Sequence, residues 1–182
     1  WRFTPVKRFV PLLELAGETR IDWVGELPAG VSASQISAAQ ARELSFDAPV
    51  DIIAAAAVAV VGDQTQLIEV APEADLDTPV VIEVEGAERT GAGHLIVRIG
   101  HHARITLVLR HTGVANFASK VEVQAGDESK VDIVSVQDWA AGSVHGGQFS
   151  VQIGKSAQVR TIQASVGAGD VRLVERAEYT GA

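Results

Sequence analysis

A glycine-centred pattern occurs four times along the chain and constrains its fold more than any other feature. Each copy consists of an apolar run, a glycine, two mostly polar residues, a small residue, any residue and a second apolar run. The glycine and small-residue pairs are Gly62 with Thr65, Gly100 with Ala103, Gly126 with Ser129, and Gly154 with Ala157. The glycines are 38, 26 and 28 residues apart, and periods of this length indicate stacked supersecondary units.

The apolar runs that flank these glycines alternate with polar residues, as β-strands with one buried face do. Successive side chains of a strand point to opposite faces, so each run predicts a set of residues that share one face. Glycine is expected at such turns because it adopts positive φ without a Cβ clash, and a small residue after it allows a tight corner. The three shared faces are Leu95, Val97 and Ile99, then Ile105, Leu107 and Leu109, and then Phe149, Val151 and Ile153.

Two all-β architectures fit this pattern. In one, antiparallel hairpins fold as a sandwich or barrel; in the other, each repeat is one turn of a β-helix. Alternation and turn chemistry do not separate the two. A lone hairpin is only marginally stable in water, so the units must pair or stack in either case.

The first fifty residues differ from the rest, because their short apolar pieces are broken by prolines. Within them, Ser32–Leu44 predicts a short helix with Ser32 or Ser34 as its N-cap. We therefore divide the chain into an irregular or helical segment, 1–50, and a repeat-bearing region, 51–182.

Composition excludes several functional classes. The 182 residues contain no cysteine, so the chain offers no disulfide and no thiolate metal site or nucleophile. A net charge of −8 disfavours nucleic-acid binding. The longest apolar run, Ile52–Val61, is too short for a membrane span and suits a buried helix or strand. Methionine is absent even at position 1, which predicts a fragment or a processed form.

Three of the five histidines lie close together in the sequence and raise the question of a metal site. His101 and His102 follow Gly100 and are expected in its turn, whereas His111 ends the next strand. Turn and strand end should be roughly 15–20 Å apart at about 3.3 Å per residue. We therefore predict no metal site from these residues, nor from His94 and His145.

Other motifs lack the context that their chemistry requires. Gly154–Ser156 ends like a phosphate-binding loop, but Phe149 stands where that motif needs a glycine. Gly91–Ile96 begins like a dinucleotide fingerprint but has Ile96 at the third glycine position. No G-x-S-x-G elbow occurs, and Trp139 is expected to be a packed loop residue. The residues alone therefore assign no catalytic, cofactor-binding or metal-ligating side chain.

Several stretches of the chain match one family in order. They are the opening WRFTPVKRF, the strand entry VAPEADLDTPVVIEV, GHLIVRIGHHARITLVLRHTG, VDIVSVQDWAAGSVH and the closing VRLVERAEYTGA. The chain resembles the SufB/SufD family of the SUF iron–sulfur cluster assembly system, on its SufD side. The resemblance implies a right-handed parallel β-helix between helical segments. In that fold, the strands after the turn glycines form one parallel sheet in which Ile105, Val131 and Val159 stack.

The resemblance also implies a function. It predicts a non-catalytic scaffold in the cytoplasm, in a complex with a SufB-like subunit and a SufC-like ATPase or with a second SufD copy. It assigns the iron–sulfur cluster to the full complex and no cofactor to this chain, and it leaves flavin involvement open. The final strand, Val171–Tyr179, is expected to be covered by further residues or by a second chain.

The departures from the family limit what can be transferred. The family's functional histidine lies beside a CSHGA-like motif that this sequence lacks, so none of the five histidines inherits that role. The alternative function is an all-β, cupin-like module for an unknown ligand or metal. A hexapeptide-repeat acyltransferase would need a strict six-residue repeat, which the glycine spacings do not supply.

Overall fold

The computed structural model describes residues 4–14, 21–23 and 26–181; the first three residues of the family-like opening lie outside this range. Helices α1 and α2 are Ala38–Leu44 and Ile52–Val61, and 3₁₀ helices span Val6–Leu13 and Gly62–Gln64. The strands are β1 Ile21–Trp23, β2 Val31–Ile36, β3 Thr65–Val70, β4 Val80–Ile99, β5 Arg104–Ala125, β6 Lys130–Trp139, β7 Val144–Ile153, β8 Gln158–Ser165 and β9 Asp170–Tyr179.

Each strand from β3 to β7 pairs in parallel with a strand about one repeat further along the chain. They form a β-solenoid of about four turns, which confirms the predicted parallel β-helix. Antiparallel pairing is confined to β1 on β4 and β2 on β3 among the described strands. The hairpin sandwich is therefore wrong, and so is the antiparallel jelly roll that a cupin-like module would require.

Each turn has two straight segments, which build two sheets. Strands β4 and β5 run through one corner and contribute to both sheets. Sheet 1 consists of residues 80–86, 104–113, 130–139 and 158–165. Sheet 2 consists of residues 65–70, 90–99, 116–125, 144–153 and 170–179.

The apolar core lies between the two sheets. Ile105 pairs in register with Val131, and Val131 with Val159, as predicted. Burying an aliphatic side chain of this kind stabilises the fold by roughly 1.5–3 kcal/mol. The predicted shared faces all point into this core, which includes Leu95, Val97, Ile99, Ile105, Leu107, Leu109, Phe149, Val151 and Ile153.

Gly100, Gly126 and Gly154 begin three stacked corners, but not for the expected reason. None of the three has positive φ. A Cβ on Gly126 would lie 2.7 Å from the carbonyl oxygen of Ile99 in the preceding corner. Glycine is therefore required by the close approach of successive corners. The left-handed positions come two residues later, at His102, Glu128 and Ser156, with φ of 56°, 59° and 56°.

The sequence prediction for Ser32–Leu44 is wrong in its first half. Residues 31–36 form β2, because Val31 and Ala33 pack against the core in a strand's alternation. Helix α1 begins only at Ala38, and its N-cap is Ser37 rather than Ser32 or Ser34. The Ser37 side chain accepts a hydrogen bond from the Gln40 backbone N–H at 3.3 Å.

The run before Gly62 is helix α2, so the first copy of the glycine pattern is not a strand–corner–strand unit. Asp51 caps this helix by accepting hydrogen bonds from the Ile53 and Ala54 backbone N–H groups at 3.0 and 3.1 Å. Gly62 ends it with φ of 53°.

Helix α2 and the first 3₁₀ helix cover the outer face of sheet 2. Both helices pack there against a column of small residues that lie in register, namely Ala92, Ala118 and Gly146. A Cβ on Gly146 would lie 2.7 Å from Leu12 Cδ1, so the contact is close. The linker between α1 and α2, residues 45–51, consequently crosses the neighbouring polar columns of the same face.

Candidate functional site

A cluster of charged side chains is buried beneath the 45–51 linker. The register of sheet 2 aligns His94 with Lys120 and places Glu122 in the adjacent column. Relative exposure is 2% for His94, 1% for Lys120 and 0% for Glu122. Charged side chains are this buried only when they are paired.

Glu122 is the centre of this cluster. Its Oε1 accepts hydrogen bonds from Ser45 Oγ at 2.7 Å and from the Phe46 and Asp47 backbone N–H groups at 3.1 and 3.2 Å. Its Oε2 accepts from Lys120 Nζ at 2.5 Å and faces His94 Nε2 at 3.1 Å. Burial opposes ionisation, but the hydrogen bonds from His94, Lys120 and Ser45 and the Lys120 charge outweigh it and lower the Glu122 pKa to about 2.

The contact with Glu122 places a proton on one nitrogen of His94. Because an ionised carboxylate only accepts, His94 Nε2 carries a proton and donates it to Glu122. His94 Nδ1 lies 3.1 Å from the Thr65 hydroxyl, which also donates to the Gly62 carbonyl at 3.3 Å. Lys120 Nζ also donates to Ser45 Oγ at 3.0 Å. The charges of Lys120 and Glu122 balance each other within the cluster.

A second set of polar contacts fixes the rest of the linker to β7 and β9. Gln148 Nε2 donates to Asp47 Oδ2 at 2.9 Å, and Ser150 Oγ donates to the same oxygen at 2.6 Å. Arg176 pairs with Asp47 at 3.0 Å. At the end of the linker, Arg172 pairs with Asp51, the N-cap of α2. Both acidic residues are thus neutralised by arginines of β9.

A cavity of about 590 Å³ adjoins the cluster, between α1, the linker and α2. This volume lies in the range of small-molecule sites, which are lined mainly by apolar groups with a few polar ones. Lys120, His94 and Thr65 form the polar floor, and Arg42 is exposed at the mouth. The apolar lining residues are Ala38, Ala41, Phe46, Ala48, Pro49, Val58 and Ala59.

A second buried cluster lies inside the solenoid, at the corner opposite the turn glycines. Trp139 Nε1 donates to His145 Nδ1 at 3.2 Å, so His145 Nε2 carries the proton and donates to Ser119 Oγ at 3.1 Å. The rings of His111 and His145 are 5.1 Å apart, and Phe117 packs against both at 6.0 and 5.2 Å.

Both interior histidines are held neutral. Burial lowers the pKa of His111 to about 4, and a hydrogen bond to the Val136 carbonyl opposes this only in part. Burial and the neighbouring His111 lower the pKa of His145 well below its ordinary value. Both nitrogens of His145 and the Nδ1 of His111 contact protein groups, so these imidazoles act as packed polar residues.

The histidines that drew attention in the sequence separate in the structure. His101 and His102 lie in an exposed corner, where His102 Nδ1 is 3.6 Å from Glu128. His111 points into the interior instead. In the described part of the chain, no three His, Asp or Glu side chains converge as metal ligands. Trp139 is packed as predicted, but it ends strand β6 rather than lying in a loop.

Sequence reasoning missed both buried clusters. The repeat length could have revealed them, because residues one repeat apart lie side by side in neighbouring turns. An offset of 26 residues pairs His94 with Lys120, and an offset of 28 residues pairs Phe117 with His145.

Comparison with known proteins identifies the family of the chain. Residues 82–182 match the family model for the SUF system FeS cluster assembly SufBD core domain. The chain belongs to the SufBD family. The SufBD core match begins in β4 and continues to the end of the chain, so it contains Lys120, Glu122, His111 and His145.

Two mycobacterial proteins show the similarity. An iron–sulfur cluster assembly SufBD family protein of Mycobacterium tuberculosis is 30% identical over 188 residues, which cover 100% of this chain and 47% of the relative. One of Mycobacterium leprae is 25% identical over 185 residues, with coverage of 100% and 47%. The chain thus spans about half the length of the curated relatives it matches. No solved structure gave a significant match. Among the described residues, no helix combines the length and hydropathy needed to cross a bilayer.

Proposed function

We propose that this protein is a SufD-like, non-catalytic scaffold subunit of the SUF system. It works in the cytoplasm with a SufB-like subunit and a SufC-like ATPase, or with a second SufD-like copy. The observation that carries the proposal is the SufBD core match over residues 82–182, which spans β5 to β9 and most of β4. The iron–sulfur cluster is the cargo of the complex, and the proposal assigns no cofactor to this chain.

The assignment to the SufD side rests on two stretches of sequence, WRFTP at the start and SVQDWA at the end of β6. The second contains Trp139, which the interior cluster uses for packing.

The geometry supports a scaffold over an enzyme. The buried groups that could serve as acids or bases are engaged with one another. Glu122 accepts five hydrogen bonds, from Ser45, Phe46, Asp47, Lys120 and His94. His145 is held between Trp139 and Ser119. Groups committed in this way stabilise a rigid body, which is what a scaffold requires.

Assembly tests the proposal directly. The intact protein, co-expressed with tagged SufC-like and SufB-like subunits of its organism, should co-purify with them and elute as one complex. A tagged ATPase from outside the SUF system serves as the control and should retain nothing. Elution of the protein apart from both SUF subunits, at micromolar concentrations of each, would refute the scaffold role.

Complementation separates scaffold from enzyme. In a strain that lacks the gene, iron–sulfur enzymes such as aconitase should lose activity, and the wild-type gene should restore it. His111→Gln removes a buried titratable group while a hydrogen-bond donor remains. If the variant folds, a scaffold should still complement fully. Folded but inactive protein would instead indicate that His111 takes part in chemistry.

A further inference from the structure

The cavity beside the Lys120–Glu122 cluster has an unbalanced charge. Asp47 in its wall is paired with Arg176, and Lys120 in its floor is paired with Glu122. Arg42 at the mouth has no carboxylate within ion-pair distance among the described residues. The cavity therefore presents one uncompensated positive charge at its entrance.

Apart from Ser45 and Asp47, the walls between mouth and floor are apolar. Ala41 of α1 and Val58 and Ala59 of α2 face the space, together with Phe46 of the linker. A ligand that fills this space must have an apolar body, because a strongly hydrated one would lose its water without replacement.

We propose that this cavity binds a small amphipathic anion, with its charged group at Arg42 and its apolar body between α1 and α2. Carboxylate and sulfonate or phosphate head groups share the chemistry that a guanidinium recognises. The inference is independent of the scaffold role, since binding is measured on the protein alone.

Titration calorimetry with three eight-carbon probes tests the charge requirement. Octanoate should bind at one site. Neutral octanamide should bind roughly tenfold more weakly because it lacks the charge-assisted bond, and cationic octylammonium more weakly still. Octyl phosphate in a fourth titration shows which head group is preferred. Equal affinity for octanoate and octylammonium, or no binding of octanoate, would overturn the proposal.

Matched variants test the location. Arg42→Gln should weaken octanoate by roughly tenfold and leave octanamide unchanged, whereas Arg110→Gln on the outer face of sheet 1 should change neither. Ala59→Trp should weaken the binding of all probes because the indole occupies part of the cavity. Ala55→Trp places the same side chain on an exposed position of α2 outside the cavity, and binding should persist. Octanoate binding that is unaffected by both Arg42→Gln and Ala59→Trp would place the ligand elsewhere and refute the site, provided that circular dichroism shows folded protein.

Discussion

Trp139 Nε1 donates a hydrogen bond to His145 Nδ1 across 3.2 Å inside the solenoid. This bond requires a neutral His145, because a protonated imidazole has no lone pair to accept with. The adjoining His111 is also neutral, with its pKa lowered to about 4 by burial. Protonation of either ring therefore destabilises the folded protein.

The interior histidines predict a pH-dependent stability. Their pKa values are lower in the folded protein than the ordinary value of 6.5, so the unfolded chain binds more protons below that pH. The contribution of these histidines to the free energy of unfolding should thus be complete above about pH 7. On acidification toward pH 4, the free energy of unfolding should fall by up to about 1.4 kcal/mol per pH unit for each histidine. Urea titrations at a series of pH values in that window measure the slope.

Replacing one of these histidines should flatten the slope. His111→Gln removes one titrating group and should lower the slope by up to about 1.4 kcal/mol per pH unit. His102→Asn is the control, because His102 lies in an exposed corner with φ of 56°, which Asn tolerates. Equal effects of the two variants on the slope would contradict the assignment.

The Lys120–Glu122 pair should be strongly coupled. Lys120→Met leaves Glu122 buried without its cation and should destabilise the protein by about 3–5 kcal/mol. The double variant Lys120→Met with Glu122→Gln removes both charges and should cost less than the sum of the two single variants. Urea unfolding of all four proteins gives the coupling energy, and strict additivity would show that the two charges do not interact.

Gly126→Ala should be costly for steric reasons. Its Cβ would lie 2.7 Å from the Ile99 carbonyl oxygen and 2.8 Å from the His101 nitrogen, both backbone atoms of the preceding corner. Separating two stacked corners should cost at least about 2 kcal/mol of unfolding free energy. Gly142 has φ of 86°, and no atom lies within 4 Å of an added Cβ there, so Gly142→Ala should cost only backbone strain, about 1–2 kcal/mol. Thermal denaturation that ranks Gly142→Ala as the more damaging change would contradict the close-approach explanation.

Ser129→Ala should stabilise the protein. Among the buried side-chain polar atoms that the structure describes, Ser129 Oγ is the one without a hydrogen-bond partner. The equivalent positions in the neighbouring corners are already alanine, at residues 103 and 157. Removing the hydroxyl should raise the free energy of unfolding by about 1 kcal/mol. Ser119→Ala, which removes an acceptor from His145, should lower it instead.

The β-strand pattern was predictable because it rests on local properties. Alternation assigned the core faces of β4, β5 and β7 correctly, and the glycine spacing indicated stacked units. The choice between a sandwich and a solenoid came from the resemblance alone, since both present the same alternation. The role of Gly126 depends on which backbone lies above it, and no local pattern contains that information.

The buried charges were missed for a related reason. Lys120 and Glu122 occupy alternate positions of a strand and have the pattern of a solvated outer face. Their burial arises from the 45–51 linker, which precedes them by more than seventy residues. Ser32–Leu44 shows the opposite error, because its helical composition is overridden where Val31 and Ala33 reach the core.

The two kinds of corner differ in how they tolerate changes in chain length. Every corner that begins at a turn glycine links its strands with four residues, 100–103, 126–129 and 154–157. On the opposite side, residues 114–115, 140–143 and 166–169 make the link, so the number varies from two to four. Insertions, fused tags or inserted domains therefore belong at 140–143 or 166–169, where an added loop leaves the stacked glycine corners and the register of every turn intact.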